Sequence, residues 1–201
     1  MTNRNWLGRA TITGAALVLI AAMAFTACSK KEGGSGGSAG AVKGLTETPA
    51  SDFSFDLTSD GQGIVIKGYT GNGGVVRIPA TIEDIPVKEI GMFALRGVFR
   101  GDINPANAIT EVILPASVTI IDQFAFENME NLTKVTFSDG LQEIRFRAFR
   151  DCSELNNLVF PDSISSIKFG SDDVSLVFEG CKKLPIATRQ KLQELGYKST
   201  F

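Results

Sequence analysis

The side chains able to do chemistry in this 201-residue chain are few, and their kinds narrow the choices. There is no histidine. That removes the commonest general base near neutral pH, the Ser/His/Asp and Cys/His nucleophilic arrangements, and histidine-ligated zinc. No G-x-G-x-x-G opens a helix, and G-x-x-x-x-G-K-[ST] does not occur. Asp172 and Asp173 are adjacent acids, but two carboxylates without further ligands read as a solvated pair rather than a cation site. The expectation is a protein that is not an enzyme, with no catalytic residues, no cofactor and no metal.

Charge points the same way. The formal net charge is -2, and the first 27 residues carry Arg4 and Arg9 but no acid, so removing those two positive charges leaves the rest at -4. Release of counterions from phosphates needs a basic face, so nucleic acid is not an expected partner.

Cys28 is the residue whose neighbours specify a reaction. Arg4 and Arg9 precede a charge-free run from Ala10 to Ser29, whose most apolar part, Ala15 to Phe25, has the length and flanks of the apolar region of a secretory signal. Small residues before a cysteine at the end of such a run, here Phe25-Thr26-Ala27-Cys28, resemble the bacterial lipobox. The resemblance implies a thioether-linked diacylglycerol on Cys28 and cleavage that makes it the first residue. Phe25 departs from the Leu usual at its position. Two other readings stay open: a single spanning helix, for which about 18 apolar residues is the lower limit, and release at an A-x-A site, Ala22-Met23-Ala24.

After Cys28 the chain runs through Ser29-Lys30-Lys31-Glu32 into Gly33-Gly34-Ser35-Gly36-Gly37-Ser38-Ala39-Gly40. A Gly-rich tether from Ser29 to Gly44 spans roughly 20 to 24 Å on average, which keeps the folded domain close to its membrane. Two or three acyl chains, at about 0.8 kcal/mol per buried methylene, make a stable anchor. Residues 1–27 are therefore assigned to a signal peptide, 28–50 to the lipidated cysteine and linker, and 51–201 to the folded domain.

That domain is repetitive. Ile109-Thr110-Glu111-Val112-Ile113-Leu114 recurs as Leu132-Thr133-Lys134-Val135-Thr136-Phe137 and as Leu155-Asn156-Asn157-Leu158-Val159-Phe160, a step of 23 residues each time. A second block keeps step: Val118-x-x-Ile121, Leu141-x-x-Ile144 and Ile164-x-x-Ile167, then Ala125-Phe126 and Ala148-Phe149. Val177-Phe178 comes six residues late, which predicts an insertion within Lys168 to Leu176. A looser first copy runs from Val76-Arg77-Ile78-Pro79 to Ile90-Gly91-Met92-Phe93-Ala94-Leu95. A period of 20 to 29 residues with L-x-x-L-x-L is the mark of leucine-rich repeats, in which stacking buries the apolar edge that a single unit leaves open.

The order of strand, Pro-Ala-Ser-Val or Pro-Asp-Ser-Ile, isoleucine, Ala-Phe and Cys resembles the BspA-like leucine-rich repeats of bacterial surface proteins, from about Phe53 to Phe201. The fold class expected is a leucine-rich-repeat solenoid, β-rich and of α/β repeat type, with about four rungs. Three strands open the domain, Phe53 to Leu57, Gly63 to Tyr69 and Gly73 to Pro79, and Ser59-Asp60-Gly61 and Gly71-Asn72-Gly73 read as hairpin turns. Pro185 to Leu195 reads as a capping helix stopped by Gly196, with Leu192 and Leu195 on one face.

Cys152 and Cys181 share one repeat position with Met129, which reads as a buried ladder of small apolar groups, although adjacent strands about 4.8 Å apart also permit a disulfide. In L-x-x-L-x-L the residues flanking the second apolar position point away from the core. That places Val75, Glu111, Lys134 and Asn157 in one outward row, and Arg77, Ile113, Thr136 and Val159 in the next. These eight form the candidate concave binding face, with an area of roughly 300 Å². A standard interface takes about 800 Å² per partner, so the insertions Arg96 to Ala108, with Val98 and Phe99, and Lys168 to Leu176 are expected to contribute, as is avidity among many copies. The lipobox resemblance implies a lipid-anchored protein of the bacterial envelope, at the outer membrane or cell surface, and the repeats resemble those of bacterial surface proteins. The family resemblance implies adhesion to host matrix or bacterial surface proteins, against the alternative of a coat without a specific ligand. Labelling with radioactive palmitate is expected to mark the wild-type chain and to vanish in Cys28→Ala; label that persists in the variant would refute lipidation at this residue.

Overall fold

The computed structural model describes residues 46–97, 104–170 and 175–201. The signal region, Cys28 and the Gly/Ser tether lie outside the described residues, as do Val98, Phe99, Asp172 and Asp173. Strands β1 (Phe53–Leu57) and β2 (Ile64–Tyr69) form an antiparallel hairpin. Its turn is organised by Asp60, whose carboxylate accepts from the Thr58 hydroxyl and, at 3.0 Å, from the Gln62 amide.

The second expected hairpin does not form. β3 (Gly74–Arg77) belongs to a different sheet from β2, so Gly71-Asn72-Gly73 carries the chain across the core instead of reversing it. Gly73, at φ 80°, lies so close to the next rung that a Cβ would stand 2.4 Å from that of Ala108. The glycine serves a close approach and a left-handed backbone, not a two-residue turn.

From β3 onward each rung contributes two short strands and a turn. The first sheet is parallel throughout, in the order β10 (Asn157–Val159), β8 (Lys134–Thr136), β6 (Ile109–Ile113), β3. The second sheet begins with β1 and β2 and continues through β5 (Ile85–Ile90), β7 (Ile120–Ile121), β9 (Glu143–Ile144) and β11 (Lys168–Phe169). A short hairpin strand, β4 (Thr81–Ile82), flanks β5. β11 corrects the repeat alignment: Ile144 pairs with Phe169, not with Ile167. Part of the six-residue insertion therefore falls before β11, at Ser165 and Ser166, and the remainder after it.

The turns make a third ladder. The amides of Leu95, Phe126 and Phe149 donate to the carbonyls of Ala125, Ala148 and Val177 at 2.8, 2.8 and 2.9 Å. Every turn bends through a left-handed residue: Phe93, Phe124, Arg147 and Leu176 have φ between 45° and 60°. Such a backbone costs a side-chain-bearing residue roughly 1–2 kcal/mol, and the rungs on either side hold it in place.

Between these ladders lies one apolar core. Phe126, Phe149 and Phe178 stack at centroid distances of 4.8 and 5.4 Å and are fully buried. Cys152 and Cys181 are free, buried thiols that donate to the carbonyls of Phe126 and Phe149, each at 3.1 Å. The ladder reading is thus the one the structure adopts. Burial pushes the Cys152 thiol well above its ordinary range, so it stays neutral.

The C-terminal end is closed by helix α1 (Ile186–Glu194), which follows Pro185 and stops at Gly196, φ 111°. Leu192, Leu195 and Tyr197 are buried against the last rung. Phe149 is packed between two rings and has no room to relax, so Phe149→Ala is expected to cost about 3–5 kcal/mol, read as a lower urea midpoint at unchanged slope. A loss under about 1 kcal/mol would contradict a close-packed stack.

Candidate functional site

The outward face of the first sheet is built as the repeat register requires. Val75 pairs with Glu111, Glu111 with Lys134 and Lys134 with Asn157; Arg77 pairs with Ile113, Ile113 with Thr136 and Thr136 with Val159. All eight sequence-derived candidates therefore lie in two adjacent rows across four strands. The residues between the rows, Val76, Val112, Val135 and Leu158, are buried, which fixes the opposite orientation of their neighbours.

The rows are mixed in character. Lys134 Nζ lies 2.8 Å from Glu111 Oε1, a partly exposed pair worth about 0–1 kcal/mol. Val75 and Val159, at opposite edges, are 49% and 39% exposed. β8 and β10 have only three residues each, so the face measures roughly 200–250 Å², smaller than full-length strands would provide. The outer margin of β3 is covered from the N-terminal side: Thr48 Oγ1 accepts from the Arg77 amide at 2.9 Å, and the Thr48 amide donates to the Arg77 carbonyl at 3.0 Å.

Of the insertion between Arg96 and Ala108, the ends are described and are tied together. Asn104 Nδ2 donates to the Arg96 carbonyl at 3.0 Å, its Oδ1 accepts from Ala106 at the start of a short 3₁₀ turn, and Asn131 Nδ2 donates to the Asn107 carbonyl.

A charged cluster on the second sheet was not singled out by the sequence. Arg145 Nη1 lies 3.0 Å from Asp122 Oδ1 and 3.8 Å from Glu89 Oε1, Nε lies 3.5 Å from Glu143 Oε1, and Lys168 Nζ reaches the same Glu143 oxygen at 3.0 Å. The available signal was the acid immediately before the buried isoleucine in Glu89-Ile90 and Glu143-Ile144. Burial, and then the neighbouring Asp122 carboxylate, push Glu89 above the ordinary glutamate range. For Arg145, burial opposes the charge but is outweighed by Asp122, Glu143 and Glu89, which push its pKa up.

On the turns, Glu127 is buried, with Arg96 Nε at 2.9 Å and Arg150 Nη1 at 3.3 Å, and Arg150 Nε reaches Glu179 at 2.9 Å. These pairs join one rung to the next and present no reactive group. Among the described residues no group of three or more His, Cys, Asp or Glu side chains could hold a metal ion. A groove of about 350 Å³ beside the first hairpin, lined by Thr58, Asp60, Gln62, Gly63, Lys88, Glu89, Thr119 and Ile120, is open and mixed in character. It lacks the enclosed apolar lining typical of a small-molecule site.

With this geometry in hand, comparison with known proteins is specific about the repeat. Residues 104–199 match the family described as BspA type leucine rich repeat region, in six copies. The chain resembles a leucine rich repeat protein of T. pallidum at 27% identity and a TM-score of 0.51, over 76% of this chain and 97% of that one. It also resembles a leucine rich cell surface protein of Faecalibacterium prausnitzii A2-165 at 28% identity and a TM-score of 0.51, covering 72% of this chain but only 36% of the other. No curated protein matches the chain.

The charged cluster makes a pH test. A carboxyl whose folded pKa is raised adds stability below its unfolded value and loses it as pH rises through the folded value. Glu89 is thus expected to cost stability from about its ordinary 4.5 upward. Thermal melts of Glu89→Gln are expected to lose less between about pH 4 and pH 7 than wild type does; an identical profile would contradict the raised pKa.

Proposed function

We propose that this BspA-type leucine-rich-repeat domain is the working part of a membrane-anchored surface lipoprotein and serves as a protein-interaction or adhesion module. Leucine-rich-repeat domains of this type are typically protein-interaction modules, and one similar protein is described as a cell surface protein. The observation that carries the reading is the outward face of the first sheet, where eight side chains are held in two rows by a main-chain ladder that fixes their spacing. A rigid, pre-ordered face lowers the entropy lost on binding.

The partners proposed are proteins of a host matrix or of other bacterial surfaces, and the anchor proposed is the lipid on Cys28. A face of this size binds one partner weakly, so firm attachment rests on the insertion beyond Arg96 and on many tethered copies acting together. A second reading, a coat without a specific ligand, is favoured by the Glu111–Lys134 pair, in which two central side chains of the face satisfy one another.

Binding of the protein to immobilised matrix proteins separates the two. Saturable binding to at least one, weakened about ten-fold or more when Val75→Asp and Val159→Asp are combined, is the expected result. Absence of saturable binding to every matrix protein, with unchanged adhesion on deletion of the gene, would favour the coat.

A further inference from the structure

Each strand of the first sheet passes its hydrogen bonds to the next rung in the same way. The Thr110 carbonyl accepts from the Thr133 amide at 2.9 Å, and the Thr133 carbonyl accepts from Asn156 and Asn157 at 3.1 Å. Further along the strands, Ile78 donates to Ile113, Leu114 to Thr136 and Phe137 to Val159, at 3.0, 3.0 and 2.9 Å. The series then stops. At β10 the Asn156 carbonyl and the Phe160 amide, which occupy the same two positions, have no partner among the described residues. Because Asn157 faces β8 and residues alternate sides along a parallel strand, the amide and carbonyl of Leu158 face outward with them.

The other margins are closed or blunted. β3 is capped at Arg77, where Thr48 meets both main-chain groups. At the C-terminal end the Leu195 carbonyl accepts from Ile167 beside β11 at 3.0 Å, and the Tyr197 hydroxyl accepts from Phe178 in the last turn at 3.2 Å. The free side of β1 carries Asp56 and a bulge between Ser54 and Phe55, two of the devices that discourage strand addition. β10 has neither: Asn157-Leu158-Val159 is uncharged and regular, and Val159 is 39% exposed.

We propose that the open edge of β10 is a docking site for an extended, uncharged polypeptide segment of a partner protein, added as a fifth strand of the first sheet. This deepens the interaction reading and rests on it for the kind of partner. The segment's carbonyls accept from the amides of Leu158 and Phe160, and its amides donate to the carbonyls of Asn156 and Leu158. Its outward side chains extend the two rows already described. Beside Val159 the face takes an apolar, β-branched residue, and beside Asn157 a polar uncharged one. Main-chain pairing supplies the affinity and these two neighbours the selectivity.

The probe is a fluorescent synthetic peptide copying residues 155–160, titrated by anisotropy against the full chain in detergent. Saturable binding is expected for wild type and for Phe160→Ala, which keeps the free amide. Binding is expected to weaken about ten-fold or more for Phe160→Pro, which removes it, and for Val159→Lys, which sets a charge beside the edge. N-methylation of the peptide at one alternating set of residues abolishes binding and at the other set does not, because only one side of the peptide faces β10. If Phe160→Pro fails to fold by circular dichroism, Val159→Lys and the two methylated peptides decide. No binding to wild type, or equal binding of both methylated peptides, would overturn the proposal. Equal loss in Thr136→Lys and Val159→Lys would place the peptide on the face instead, sinking the edge while leaving the interaction reading intact.

Discussion

Everything in this fold depends on the hydrogen bonds that one rung lends the next. A two- or three-residue strand cannot satisfy its own amides and carbonyls, and a single unit cannot bury its own isoleucines and phenylalanines. Both needs are met by a copy one repeat away, whose main chain returns at the spacing of adjacent strands and whose side chains land on those already in place. The left-handed backbone at Phe124 and Arg147, costly in isolation, is held because the amides beyond it have fixed acceptors in the following rung. The ends of such a stack must be closed by something else. Here the N-terminal hairpin and Thr48 serve one end, and α1 with Tyr197 serves the other.

Much of this was legible in the sequence, for a physical reason. A repeat of constant step puts equivalent residues opposite one another, so aligning Ile109, Leu132 and Leu155 also gives the cross-strand pairs of both rows. The cap helix was legible from a Pro before it and a Gly after it. Less visible was the second sheet, whose strands of two residues are too short to show alternation. The turn at Gly71 to Gly73 has hairpin chemistry, yet its direction is set by contact with Ala108, a residue distant in sequence. At Phe169 a constant step breaks by two residues, and the break is masked because Ile164 and Ile167 are themselves buried and satisfy the pattern. The Arg145 cluster escaped because its members come from four rungs and form no local motif.

The chemistry of the surface follows from the same constraint. Many of the charged side chains described meet a partner one rung away: Arg145 with Asp122, Arg150 with Glu179, Lys183 with Glu154. Surface charge thus links neighbouring rungs. The repeats, which resemble the BspA type, form a scaffold that keeps the outward rows of the first sheet at a fixed spacing.

Inter-rung main-chain hydrogen bonds hold the domain as one cooperative body whose first sheet ends at β10, and hydrogen exchange of the full chain, resolved to single amides, tests this most directly. The amides of Ile78, Leu114 and Phe137, which belong to successive rungs, are expected to exchange slowly and with one common free energy, while that of Phe160 exchanges orders of magnitude faster. Unequal protection that falls from rung to rung, or a Phe160 amide as slow as the other three, would contradict the account.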